Sequence, residues 1–141
     1  MSVLLDTHVW VFWLLGSNQL PKDACAALDR LAARRQLRLA AVSLWEAQML
    51  NAKGRLALDR PFDAWLREAA SADIIEILPL DVEVAIEVDR LPRAFHGDPA
   101  DRLIVATARA HRLPLASQDR AIRRSRLVRM WRPQAAGRRG G

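Results

Sequence analysis

At 141 residues and 51% hydrophobic, the chain suffices for one ordinary core, burying roughly 68–70% of its unfolded surface, and calls for no second domain. A single cysteine, Cys25, excludes an internal disulfide and points to core packing in a reduced cytoplasm. The longest apolar run near the N-terminus, residues 9–15, is too short to span a bilayer, and Asp6 precedes it where a signal peptide would be basic, so a soluble protein with no membrane partner is expected.

The net charge of +6 is uneven: eight arginines and no acid from Arg120 onward leave the first 119 residues at about −2. Such a cluster can hold a nucleic-acid backbone through counterion release. Arginines outnumber lysines twenty to two throughout the chain, so a merely solvated basic end is the competing reading.

In chain order, the apolar run Val3–Leu5 ends at Asp6 and predicts a buried strand that stops at a carboxylate. Residues 7–15 carry bulky side chains at helical and at strand spacing, which leaves both open. After the Gly16-Ser17-Asn18 break, Pro21 starts a helix to about Arg35 with Ala24, Leu28 and Leu31 on its core face. Residues 37–42 read as a second strand, followed by Ser43 and a helix over 44–53 that Gly54 ends, with Glu46 in its first turn. A helix over 61–72 places Phe62, Trp65, Leu66 and Ala69 at spacings of three and four. A third strand at 74–78 and a helix at 81–91 follow.

Asp98-Pro99 opens the best helix of the chain, which runs to His111 and presents Asp101 in its first turn. Residues 113–116 form a fourth strand, 117–125 a turn and short helix, and 127–131 a fifth strand at an edge. Short apolar strands alternating with helices define an α/β domain, a three-layer α/β/α sandwich around a mainly parallel sheet of four to five strands. The domain is expected to occupy residues 1–133, with a flexible basic tail at 134–141.

In a parallel sheet, ligands bind outside the carboxyl ends of the strands. Asp6, Ser43/Glu46 and Ser117/Asp119 would all emerge there. Singly, most of these acids have a structural explanation. Ser43 to Glu46 fits a capping box, Asp98 to Asp101 repeats its spacing, and Asp119 can cap the helix after it. Asp6 has no such role unless the residues after it enter a helix directly, and carboxylates crowded on one rim repel each other unless a cation neutralises them. Oxygen-only ligation suits a hard ion, Mg²⁺ or Mn²⁺, better than zinc. That ion could activate water and stabilise the leaving oxygen of a phosphodiester.

The segments Leu4-Leu5-Asp6-Thr7-His8, Ser43-Leu44-Trp45-Glu46, Asp98 to Ala108 and Leu115-Ala116-Ser117-Gln118-Asp119 resemble, in order and spacing, the motifs of PIN-domain nucleases. The likeness runs from residue 2 to about 132 and is strongest to the VapC-like toxins of toxin-antitoxin pairs. It implies that Asp6, Glu46 and Asp101 are the central metal-binding and catalytic acids, with Asp119 as the more variable fourth. Asp98, Ser117, Thr7 and Arg102 are implied accessories. It also implies an RNA substrate, a homodimer and a VapB-like antitoxin that enters the active-site groove. Ser117 departs from the threonine common at its position, and the arginine-rich end is a second departure.

Other residues have blander readings. His8 is expected to hydrogen-bond locally or pack, and His96 to sit in a solvated loop. Trp10, Trp13, Trp45, Trp65 and Trp131 could stack bases but are expected in the core. Arg102 divides evenly between a phosphate clamp and a surface ion pair. An aspartyl-phosphate phosphatase would need an acid where His8 stands, and no phosphate-binding glycine loop follows any strand. The serious rival is a non-catalytic RNA- or protein-binding member of the same fold.

Overall fold

The structure, a computed structural model, describes residues 1–95 and 97–133. The expectations for His96 and for the tail at 134–141 lie outside the described residues. In chain order the elements are β1 (Val3–Leu5), α1 (Thr7–Leu15), α2 (Lys22–Ala33), β2 (Leu37–Ala40), α3 (Val42–Ala52), α4 (Phe62–Ala69), β3 (Glu76–Leu78), α5 (Val82–Arg90), α6 (Pro99–His111), β4 (Leu115–Ala116) and α7 (Arg120–Ser125).

The strands form one parallel sheet in the order β3-β2-β1-β4. β1 lies inside it, with Leu5 opposite Leu39 on one side and Ala116 on the other. Side chains alternate between faces along each strand. Val3, Leu5, Leu37 and Leu39 pack with Trp10, Leu28 and Trp65 on one face. Leu4, Ala40, Leu78 and Leu115 pack with Val84, Ile104, Val105 and Ile122 on the other. This is the expected three-layer sandwich, and each fully buried leucine contributes roughly 1.5–3 kcal/mol. Cys25 packs against the first of these clusters, as expected.

The ambiguity over residues 7–15 resolves as helix. The Asp6 N–H still belongs to the sheet, donating to the Ala116 carbonyl at 2.9 Å, but the Asp6 carbonyl accepts from Trp10 at 3.0 Å and starts the helical ladder. α1 is apolar around most of its circumference, with Val9, Trp10 and Val11 buried and His8 exposed. It closes at Gly16, whose φ of 65° is left-handed, so that the Ser17 N–H reaches the Phe12 carbonyl at 2.9 Å.

β2 ends at Ala40, two residues short of expectation. The Ala41 N–H extends the ladder to the Leu78 carbonyl at 2.9 Å, but its backbone is already helical at φ −54°, ψ −33°, and α3 begins at Val42. β3 and β4 are likewise shorter than the apolar runs containing them. The expected fifth strand at 127–131 reduces, among the described residues, to one parallel bridge between Leu115 and Met130. Leu115 donates to Arg129 and accepts from Trp131, each at 2.9 Å. Pro133 lacks the N–H that would carry the pairing further. No helix among the described residues is long and apolar enough to cross a membrane.

Candidate active site

The carboxyl end of the sheet carries the acids. Asp6 leaves β1 as the N-cap residue of α1, and its side chain makes no cap bond. It is buried at 5% exposure, and the Ser117 hydroxyl, just past the end of β4, donates to its Oδ2 at 2.6 Å. The same Ser117 Oγ accepts from the Asp119 N–H at 3.0 Å, so one hydroxyl fixes the turn and the buried acid together. Burial pushes the Asp6 carboxyl above its ordinary value and Asp119 adds repulsion, while Ser117, the charge of His8 and the Thr7 N–H oppose the rise.

Glu46 is held differently from the expected capping box. Because α3 starts at Val42, Ser43 lies inside the helix, fully buried, with no cap bond. Its hydroxyl instead meets Thr7 Oγ1 at 2.7 Å, and Thr7 donates a short hydrogen bond to Glu46 Oε1. Thr7 is buried at the first position of α1, so the chain Ser43–Thr7–Glu46 ties α1 to α3 beside Asp6. Burial raises the Glu46 carboxyl and the Thr7 bond lowers it, while Asp6 and Asp98 raise it and His8 lowers it.

Asp98 does cap α6, accepting from Ala100 and Asp101 N–H groups at 2.9 and 3.3 Å. Asp119 caps α7, accepting from Ile122 at 2.9 Å. Asp101 is half-buried in the first turn of α6, which packs on α3. Its carboxyl is pushed up to about 7, first by burial and then by Asp6, Asp98, Asp119 and Glu46. The four acids named by the sequence therefore share one electrostatic neighbourhood, with Asp98 at its edge. The positive ends of α1, α3, α6 and α7 face it and ease the repulsion in part.

Among the described residues no group of three or more His, Cys, Asp or Glu side chains is placed to hold a metal ion by itself. The donors present are hard oxygens. Octahedral Mg²⁺ asks for only one or two carboxylates beside its waters, so the residues fit that ion and not a closed structural site.

The other residues singled out fall as follows. His8 is exposed and contacts the Phe12 ring at 5.9 Å, within electrostatic reach of Asp6 and Glu46. Arg102 donates to the Phe95 carbonyl at 3.2 Å and lies over its ring, holding the segment before α6. Trp10 and Trp65 are core, and Trp13 and Trp131 pack against it in part. Trp45 corrects the expectation of burial: it is 56% exposed. With His8, Glu46, Lys53, Arg55 and Asp98 it lines a groove of about 440 Å³. The signal for this lies in α3 itself, where small Ser43 and Ala47 four residues apart mark the packed face and leave Trp45 on the other.

The chain belongs to the PIN domain family, whose model matches residues 3–126. It is similar, at 35% identity over 125 residues, to Ribonuclease VapC22 of Mycobacterium tuberculosis, covering 89% of this chain and 92% of that protein. Its fold is similar to a chain of DNA-bound VapBC from Salmonella typhimurium, with TM-score 0.72, 20% identity, and 93% and 97% of the two chains covered. It is also similar to a chain of FitAcB from Neisseria gonorrhoeae, with TM-score 0.66, 25% identity, and the same two shares covered.

Proposed function

We propose that this chain is a metal-dependent ribonuclease that hydrolyses RNA phosphodiester bonds, and that it serves as the toxin of a toxin-antitoxin pair. One observation carries the reading. Asp6, Glu46 and Asp119 each add to the repulsion that raises the Asp101 carboxyl, and hydrogen bonds from Ser117 and Thr7 fix Asp6 and Glu46. The 35% identity to a protein named as a ribonuclease supports it.

In this reading Mg²⁺ or Mn²⁺ would be held among Asp6, Glu46, Asp101 and Asp119, one or two of them as direct ligands and the others through its waters. When bound, the ion supplies a counter-charge for the phosphate and leaving oxygens and lowers the pKa of water. Ser117 orients Asp6, Thr7 orients Glu46, and Asp98 sets the start of α6 that carries Asp101. Water attacks phosphorus in line, the P–O3′ bond breaks, and the proton lost by the water reaches the 3′ oxygen. A 5′-phosphate and a 3′-hydroxyl result, as the family resemblance implies.

Incubation of the purified chain with single-stranded RNA and Mg²⁺ or Mn²⁺ tests the proposal. Cleavage abolished by EDTA and by Asp6→Asn is the expected result; cleavage surviving both overturns it. A non-catalytic binding member of the same fold would take up no Mn²⁺ in calorimetry. For the toxin role we expect growth arrest on expression, a neighbouring frame encoding a VapB-like antitoxin, and a homodimer in size-exclusion chromatography. Unimpaired growth with no such frame removes the toxin role and leaves the nuclease reading standing.

A further inference from the structure

A second concavity, of about 420 Å³, is lined by arginine alone: Arg120, Arg123, Arg124, Arg126 and Arg132. All five are exposed. Other arginines of the chain have employment: Arg38 pairs with Glu76 at 3.0 Å, Arg60 with Glu68 at 2.6 Å, and Arg109 with Glu87 at 2.9 Å. Among the described residues, none of the five guanidinium groups pairs with a carboxylate or hydrogen-bonds to the protein. Five like charges around one hollow repel each other, and a polyanion relieves them all at once. Planar guanidinium forks match phosphate oxygens bidentately, which ammonium groups do not.

The hollow also has a direction. It begins one residue after Asp119, and α7, which holds three of the arginines, spans only about 9 Å. Arg123 belongs as well to a neighbouring groove lined by Ser117 and Gln118, and Ser117 is the residue bonded to Asp6. A strand leaving the acids along Ser117 and Gln118 therefore reaches the arginines within a few nucleotides. An acidic protein segment suits the hollow less well, because peptide grooves offer apolar anchors and this lining has none.

We propose that Arg120, Arg123, Arg124, Arg126 and Arg132 form a backbone clamp for single-stranded RNA flanking the bond to be cut. The clamp takes phosphates and ignores bases, so it favours length over sequence. The identity of the polyanion rests on the ribonuclease reading; the existence of the clamp does not.

The test measures binding of the full chain, in EDTA, to labelled single-stranded RNAs of about 4 and about 12 nucleotides over a salt series. Arg123→Gln with Arg124→Gln removes two charges from the hollow. Arg126→Gly removes one where the backbone sits at φ 58°, a position glycine occupies without strain, so its melting temperature should hold. Each lost contact should reduce the log–log salt slope for the 12-mer by about 0.7, a change of about 2.6-fold in the ratio of affinities at 50 and 200 mM salt. Binding of the 4-mer should be unchanged, and with metal present KM for long RNA should rise while kcat holds. Wild-type slope in both variants overturns the clamp, as does equal loss on both lengths. Tighter binding of duplex or of poly-glutamate than of the single strand overturns it too. If the chain cuts no RNA but the variants lose slope on the 12-mer, the ribonuclease reading fails and the clamp stands.

Discussion

Ser117 Oγ donates to Asp6 Oδ2 at 2.6 Å, joining the ends of two neighbouring parallel strands. A hydrogen bond to a charged group contributes about 1.5–3 kcal/mol, and here it opposes the burial that disfavours the Asp6 carboxylate. Ser117→Ala should therefore raise the Asp6 carboxyl further and weaken metal affinity or activity about 10–100-fold. Ser117→Thr keeps the hydroxyl and should keep most of the activity. Metal titration by calorimetry and RNA cleavage at neutral pH decide; an alanine variant as active as wild type refutes the role.

The Ser43–Thr7–Glu46 chain predicts an asymmetry. Thr7→Val leaves the buried Ser43 hydroxyl without its partner, at a cost of about 1–3 kcal/mol, and frees Glu46. Adding Ser43→Ala removes the orphaned hydroxyl and should recover much of that stability. Activity should stay low in both, since neither restores the hold on Glu46. Urea denaturation beside a cleavage assay separates the two; recovery of activity in the double variant contradicts the orienting role.

Asp101, at about 7 in the fold against an ordinary 3.8, predicts how the metal-free protein responds to pH. A carboxyl raised in the folded state gives stability that is complete below about pH 4 and lost as pH climbs through about 7. Asp6 and Glu46, raised from 3.8 and 4.5, act in the same direction. Exposed Glu68 and half-buried Glu87, lowered by arginines, act only below about 4.5 and so leave the window clear. In EDTA the melting temperature should fall between pH 4.5 and 7, and Asp101→Asn or added Mg²⁺ should flatten the fall. A flat profile in the wild type would count against the crowding.

Trp10 and Trp45 give opposite expectations from one residue type. Trp10 is fully buried, its indole N–H donating to the Ala69 carbonyl at 3.3 Å, and Trp10→Ala should cost about 3–5 kcal/mol. Trp45→Ala should change stability by no more than about 0.5 kcal/mol, because its side chain faces the groove. Thermal melts of the two variants give the answer directly, and comparable losses would return Trp45 to the core.

That contrast marks where sequence reasoning reaches. Asp6 was legible as the acid that ends the apolar Val3–Leu5: α1 does begin directly after it, yet its side chain makes no cap bond, and the parallel sheet followed from strands alternating with crossover helices. Asp98 was legible as a cap and Asp119 twice over, as a cap and as a rim acid, and both cap. Ser43 was misread because a serine three residues before a glutamate looks the same whether it caps a helix or lies within it. What decides is where β2 lets go, and that depends on the Ala41 bond to Leu78, a long-range contact invisible locally. Trp45 was misread because an aromatic among apolar neighbours counts as core until the packed face of its helix is known. The two-residue β4 and the single bridge at Met130 were beyond reach because pairing length depends on partner strands.

Asp119 carries two duties that a conservative pair of substitutions can pull apart. Its Oδ1 accepts from the Ile122 N–H at 2.9 Å, and Ile122 is the fully buried residue of α7. Asparagine caps a helix about as well as aspartate, whereas alanine there costs about 0.5–2 kcal/mol. Asp119→Asn should thus melt like the wild type while binding metal more weakly, since it removes one negative charge from the rim. It should also lower the Asp101 carboxyl, because Asp119 is one of the charges that raise it. Asp119→Ala should lose stability as well as metal affinity. Measured together, melting temperature and Mn²⁺ affinity assign the roles. Loss of stability in Asp119→Asn with unchanged metal binding would leave Asp119 a helix cap and reduce the proposed metal ligands to Asp6, Glu46 and Asp101.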